Sequence, residues 1–372
     1  MKLTVPHMGL LSNAYTNVLR KHGVDMRPPP RPSINTLNIG VKYSPEFACL
    51  PFKINIGNMI EALEKGVDSI LMPGGYGPCR FGYYSIIQEQ ILRRLGYEFK
   101  MARTDNPDSL SDIVKTIRDI SDINTKWDGY SVFYLILMRM ALFDRIEAMY
   151  FKTKPREINT NEADKVFSES IRIVEDATSF LKLFKAWNKV RGLFKDVRTD
   201  KKAQLLRVGI LGEIFVIIEP FANMDVERRL ARMGVEVIRG VWLSDWLNDR
   251  FRFKPFKPNQ NKLSRKWAYP YLKYPSGGES IESVGKTLKF YKQKIDGVVH
   301  IMPFTCMPEL VASTILHRIS ADLNYPILSL TFDEHVSEAN IQTRLEAFVD
   351  LLERKKKKRD VKEIRYAGIS WH

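Results

Sequence analysis

The chain has 372 residues and only three cysteines, each set in a loop-forming context. Cys49 opens Cys49-Leu-Pro-Phe-Lys53, Cys79 lies in Gly77-Pro-Cys-Arg-Phe-Gly82, and Cys306 lies in Pro303-Phe-Thr-Cys-Met-Pro-Glu309. A proline stands within two residues of every one. Thiols ligate metals and act as nucleophiles, but free cysteine is also among the most buried residue types and serves as a small hydrophobe. An odd, small count argues against a disulfide framework. Separations of 30 and 227 residues match no contiguous cluster motif, so spacing alone leaves these alternatives open. Position adds something: Cys79 and Cys306 follow directly on apolar strands, and open α/β sheets build their sites at the carboxyl ends of parallel strands.

Those loops need elements to hold them. Leu3 to Val5 reads as a strand, Leu11 to His22 as a helix, Val67 to Met72 as a buried strand, and Tyr84 to Leu95 as a helix. Arg27-Pro-Pro-Pro-Arg-Pro32 forbids regular structure. From Ser109 to Lys202 the pattern turns helical, with Ile113, Ile117 and Ile120 on one face and a second helix through Val166, Ile171, Ile173 and Leu181. Arg207 to Ile218, Val235 to Ile238, Asp296 to Met302 and Pro326 to Thr331 read as strands of a buried parallel sheet. A last helix from Ala339 to about Lys357 places Ile341, Leu345, Phe348 and Leu352 on one side. The fold class expected is α/β: two Rossmann-like or flavodoxin-like domains with small parallel sheets, plus a helical connector. The boundaries are 1–108, with Cys49 and Cys79; 109–202, helical; 203–355, with Cys306; and a basic tail, 356–372.

Composition fits this plan. Hydrophobic residues at 44% and charged residues at 27% are ordinary for a globular protein, which excludes extensive disorder and coiled coil. The long apolar run Tyr130 to Met138 stops at Arg139, short of the roughly 18 to 20 residues a bilayer needs, so neither a spanning helix nor a membrane partner is expected. The first residues lack the pattern of a secretory signal, and a cytoplasmic location is expected. Net charge is +15, part of it in Arg354-Lys-Lys-Lys-Lys-Arg359, read as a helix end where cations complement the dipole. Arg250-Phe-Arg-Phe-Lys-Pro-Phe-Lys257 interleaves cations with aromatics, but no nucleic-acid motif accompanies it, and nucleic acid is not the expected partner. That segment equally suits an acidic partner or the phosphates of coenzyme A.

The cysteine segments resemble a known family. Cys49-Leu-Pro-Phe-Lys53 with Gly57, Met72-Pro-Gly-Gly-Tyr-Gly-Pro-Cys-Arg-Phe-Gly-Tyr-Tyr84, Asp296 to Glu309, and Leu330-Thr-Phe-Asp-Glu-His335 running on to Phe348 are similar to segments of the 2-hydroxyacyl-CoA dehydratase component family. The likeness is to its stand-alone, activase-related branch, and spans most of residues 1–355. It implies that Cys49, Cys79 and Cys306 hold a [4Fe-4S] cluster between two α/β domains. It also implies one-electron reduction of a 2-hydroxyacyl-CoA thioester to a ketyl radical, followed by loss of water. A separate ATP-dependent activase would supply the electron, and a homologous subunit or a second copy would complete the assembly. Two roles stay open: enzyme or enzyme subunit, and non-catalytic electron-transfer or maturation partner of the activase. A metal-free basic nucleic-acid binder is the lesser alternative.

Three thiolates on four irons would leave one iron open for a substrate or water. Lys53 and Arg80, close to Cys49 and Cys79, are read as cofactor-binding cations that lower thiol pKa values, or else as solvated surface charges. Gly75, in Gly74-Gly-Tyr-Gly77, lets backbone pass close to a cluster; the stretch lacks the G-x-G-x-x-G pattern of a dinucleotide loop. Val284-Gly-Lys-Thr287 imitates a phosphate loop, but Ser280 stands where glycine is required. In Gly277 to Gly285 the family often carries a histidine where this chain has Glu279. Asp333-Glu334-His335 puts three metal-ligand or acid/base groups just after a strand, of which at most two can converge on one site because adjacent residues face opposite sides; the favoured alternative is capping or salt-bridging, with Asp333 or Ser337 starting the last helix. His300 reads as a satisfied core histidine, and Glu309 as either a cap or a site residue.

Overall fold

The computed structural model describes residues 1–72, 79–103, 109–254 and 256–367, with side chains as far as 358. The first part contains β1 (Lys2–Thr4), α1 (Leu11–Lys21), β2 (Asp25–Met26), α2 (Ile34–Tyr43), α3 (Leu50–Glu64), β3 (Ser69–Met72), α4 (Tyr84–Arg94) and β4 (Lys100–Arg103). Four helices follow: α5 (Leu110–Ile120), α6 (Lys126–Thr153), α7 (Glu162–Glu175) and α8 (Phe180–Asp196). The second α/β part opens with β5 (Leu206–Gly212), α9 (Ile214–Ile218), α10 (Val226–Arg232), β6 (Val235–Arg239) and α11 (Leu243–Phe251). It ends with α12 (Gln260–Ala268), α13 (Ser280–Lys292), β7 (Gly297–Pro303), α14 (Met307–Leu323), β8 (Ile327–Phe332) and α15 (Glu338–Ala367).

Both sheets are four-stranded and parallel, ordered β2-β1-β3-β4 and β6-β5-β7-β8. The protein is thus α/β, with two small Rossmann-like sheets and helices between them. In each sheet the chain leaves the first strand toward one edge and returns to build the other. The connections after β1 and β3, and after β5 and β7, therefore diverge and leave a crevice at the carboxyl ends. Cys79 comes after β3 and Cys306 after β7.

Some boundaries differ from the sequence pattern. Arg207 to Ile218 is not one strand: backbone breaks at Gly212, and the Glu213 carboxylate accepts the NH groups of Phe215 (3.1 Å) and Val216 (2.9 Å) to start α9. The helix drawn through Leu181 divides, with α7 ending at Glu175 and Leu181 standing exposed on α8. Helix α15 continues to Ala367, so the basic run lies inside a helix and not at its end. Two of its cations are spent locally: Lys355 Nζ donates to Asn324 O at 2.9 Å, closing α14, and Lys356 Nζ donates to Gln204 O at 3.1 Å. Ser337 Oγ accepts from Asn340 NH, the cap expected at the start of α15. Among the described residues no helix is long and apolar enough to cross a membrane.

The helical part is not a mere spacer. One continuous apolar core runs from Leu3 and Val18 through Val132, Phe143 and Ile146 of α6 to Val208, Ile210 and Leu345. Buried Arg239 on β6 ties α6 to the second sheet: its guanidinium meets Glu147 of α6 at 2.6 Å, also binds Glu227, and lies 4.6 Å from the Trp242 ring. Arg139 of α6, fully buried, donates to the carbonyls of Ala177 (2.9 Å) and Asn13 (2.7 Å), binding α6 to the end of α7 and to α1.

The false phosphate loop has a packing explanation. Gly285 lies mid-way in α13, where an added Cβ would stand 2.2 Å from the carbonyl oxygen of Ser264 on α12. Lys286 is buried and pairs with Glu282 at 2.5 Å. Because the obstacle is backbone and cannot rotate away, Gly285→Ala is expected to lower stability by about 1–3 kcal/mol in urea unfolding. An unchanged midpoint would show that α12 can back away.

Candidate metal centre

Each cysteine is the residue immediately preceding a helical turn. Cys49 precedes α3, Cys79 precedes a 3-10 turn at Arg80–Tyr83 that leads into α4, and Cys306 precedes α14. Pro51 and Pro308 fall in first turns, where a missing NH costs nothing and the fixed φ is already helical. The first helical bonds run to the cysteine carbonyls: Phe52 NH to Cys49 O at 2.9 Å and Leu310 NH to Cys306 O at 2.9 Å. Three thiols consequently sit at the positive ends of helical turns, a setting that favours thiolate.

One oxygen brings the three loops together. The carbonyl of Phe47, two residues before Cys49, accepts a bond from Arg80 Nη1 at 2.9 Å and another from Thr305 Oγ1 at 3.3 Å. Thr305 has φ of +67°, a left-handed conformation strained for a β-branched residue. It therefore sets the direction of Cys306 at an energetic cost that the surrounding contacts must hold.

Polar side-chain contacts close the crevice on either side. Lys53, one turn into α3, is buried, and its Nζ meets Glu334 Oε1 at 2.5 Å, just beyond β8. His7, beyond β1, places Nδ1 2.6 Å from Glu219 Oε2, which also accepts from Gly9 NH at 2.8 Å. His7 NH in turn donates to Asn58 on α3. Gly9 has φ of +49°, and a Cβ there would meet the Ile218 carbonyl oxygen at 2.4 Å. Of the Asp333-Glu334-His335 group only Glu334 reaches the site; Asp333 Oδ1 accepts from His335 NH at 2.8 Å in a local turn.

Electrostatics run against one expectation. Burial pushes the Cys49 thiol up to about 11; a hydrogen bond with the Tyr84 hydroxyl opposes this, and the charges of Glu213 and Cys79 add to it. Cys306 is raised by burial and then by Glu213, Glu309 and Cys49. Cys79 is exposed in the crevice mouth yet also raised, by desolvation and then by Glu279 and Glu213 against the opposing Phe81 NH and Arg80. Lys53 and Arg80 therefore do not lower these thiols on balance: Lys53 is committed to Glu334, and Arg80 is outweighed by neighbouring carboxylates. Nor is Lys53 a solvated cation. Gly75, with Gly74, Tyr76 and Gly77, lies outside the described residues.

Glu213, hidden within an apolar stretch, is the residue the sequence pattern passed over. A lone carboxylate directly after a strand-ending glycine is the signal that marks it. Burial raises it to about 7 despite the two NH groups it caps, with Glu309 adding repulsion. Glu279 is driven well above the ordinary range by burial, then by Glu213 and Glu309. Glu309 is fully buried, accepting from Ser283 Oγ at 3.0 Å and meeting His300 Nε2 at 2.6 Å. It serves this network and does not cap its helix with its side chain. His300 is only half satisfied, since its Nδ1, like Glu309 Oε1, has no partner among the described residues.

Cys49 feels the charge of Cys79, and Cys306 feels that of Cys49, but among the described residues no three His, Cys, Asp or Glu groups surround a single ion. A cubane takes each thiolate on a different iron, so its ligands stand apart. An all-thiol donor set fits such a group in its chemistry. Part of the basic stretch 250–257 is satisfied locally: Lys254 and Lys257 reach Asp245 Oδ1 at 3.2 and 2.5 Å and Arg250 lies over Trp246, while Arg252 and Phe256 stand exposed.

Two outcomes follow from the charges. Burial raises the Glu334 carboxyl, but the Lys53 bond outweighs it and the net direction is down. Its stabilisation is thus present above the ordinary glutamate pKa of about 4.3 and lost as pH falls through the depressed folded value. Glu334→Gln, which leaves Lys53 buried beside a neutral group, should cost about 3 kcal/mol in chemical unfolding at neutral pH. In metal-free protein, iodoacetamide labelling of Cys49 followed by mass spectrometry should rise with a midpoint near 11, against about 8.5 in the unfolded chain; a midpoint at the lower value would overturn the assigned environment. No protein-family model matches this chain, and no curated protein matches it.

Proposed function

We propose that the chain is an iron–sulfur protein holding a [4Fe-4S] cubane on Cys49, Cys79 and Cys306. It works with a separate ATP-dependent activase in low-potential one-electron chemistry on an acyl-CoA or similar substrate. The observation that carries this reading is that all three cysteine loops meet at the Phe47 carbonyl, in a crevice between the carboxyl ends of two parallel sheets. The sequence resemblance supports the substrate class and the activase.

When bound, the cluster supplies a store for one electron and an iron site able to polarise a substrate oxygen. The chain's own residues do the rest. The helix starts after Cys49 and Cys306 direct NH groups toward thiolate charge. Tyr84, buried beside Cys49, donates its hydroxyl proton to the sulfur once that sulfur is a thiolate, a contact of the kind that raises a cluster's potential. Lys53 with Glu334, and His7 with Glu219, hold the walls of the crevice at fixed separation. Glu213 exchanges its proton near neutral pH, which suits it to protonate a departing hydroxyl at its carboxyl oxygen.

Anaerobic purification with iron and sulfide analysis tests the proposal. About four irons per chain are expected, lost in each of Cys49→Ser, Cys79→Ser and Cys306→Ser. Because the ligands come from both α/β parts, the variants should also unfold at lower temperature than the loaded protein. A colourless anaerobic protein, or variants that retain full iron, would end this reading. Turnover of a 2-hydroxyacyl-CoA in the presence of an activase then distinguishes an enzyme from an electron carrier.

A further inference from the structure

The crevice leaves most of the +15 charge unexplained, and a concentrated share of it lies on α8. The inner face of this helix, Leu183, Ala186, Val190 and Phe194, is buried. Lys182, Lys185, Lys189, Arg191 and Lys195 are exposed, and the one acid of the helix is its last residue, Asp196. Three large apolar side chains stand among these cations in solvent: Phe180 at 43% exposure, Leu181 at 67% and Phe184 at 65%. At about 100° per residue, Phe180, Leu181, Phe184, Arg191 and Lys195 share one arc, with Lys185, Lys189 and Lys182 along its flank. Lys189 makes a 3.8 Å contact with exposed Glu169; the other four cations have no ion pair among the described residues.

We infer that this face of α8 binds an anionic phospholipid surface. Phe180, Leu181 and Phe184 enter the headgroup boundary while the lysine ammonium groups reach lipid phosphates on extended stems. Each cation near an anionic leaflet adds to the attraction. Composition favours lipid over an acidic protein, because lysine is depleted in protein interfaces and four of the five cations here are lysine. The lack of a membrane-crossing helix bears on spanning and not on surface attachment. This inference is independent of the iron–sulfur proposal.

The test is cosedimentation of the full chain with vesicles of phosphatidylcholine alone or mixed with phosphatidylglycerol, at low and high salt. Binding is expected on the anionic vesicles only and should weaken as salt rises. Lys182→Glu/Lys185→Glu/Lys189→Glu and Leu181→Asp/Phe184→Asp should each reduce it by about tenfold or more, with unchanged circular dichroism. If the apolar variant fails to fold, the lysine variant decides, since its altered side chains lie in solvent. Absence of binding to anionic vesicles, equal binding to neutral ones, or indifference to the lysine changes would overturn the inference. So would a dimer in sedimentation velocity that Leu181→Asp/Phe184→Asp abolishes, which would give the face to a second copy.

Discussion

A carbonyl oxygen has two lone pairs, and at Phe47 both are taken by loops that arrive from far along the chain. Arg80 brings the segment after β3, and Thr305 brings the segment after β7. The strained φ of Thr305 persists only because its hydroxyl is bonded there and its neighbours enter a strand on one side and a helix on the other. The relative placement of the three thiols rests on this shared acceptor more than on any direct contact between them.

Around that point the crevice is short of positive charge. Glu213, Glu279 and Glu309 face one another and the thiols, whereas buried Lys53 is already neutralised by Glu334. Burial and like charge both favour the protonated forms of the thiols, Glu213 and Glu279, protons that a bound cation would displace. The same arrangement explains why Arg80 exerts little net effect on Cys79: a single exposed guanidinium works against desolvation and two carboxylates.

The two sheets repeat one strand order without a detectable short repeat in sequence, and a single core passes through both by way of α6. Arg139 and Arg239 show how that helix is held. Each puts its guanidinium where carbonyls or carboxylates from other elements converge, and so fixes the orientation of α6 against both halves. Close approach of backbones does comparable work at Gly40 and Gly57, where α2 and α3 touch and orient the helix that Cys49 begins.

Local pattern was sufficient for the strands after which Cys79 and Cys306 stand and for the helical character of the stretch between the two sheets, because burial in a parallel sheet writes itself as consecutive apolar residues and a helix as spaced ones. It was insufficient for Glu213, for the division at Gly212 and for the extent of α15, where a side-chain cap or a long polar helix overrides hydrophobic spacing. The sequence by itself determined that the chain is α/β and that two of its three thiols, Cys79 and Cys306, follow strands. Only the tertiary structure decided that Lys53 is buried against Glu334, that His300 pairs with Glu309, and that Gly285 serves helix packing. Those outcomes depend on contacts between residues 9 to 281 positions apart, and no local periodicity encodes which distant partner will arrive.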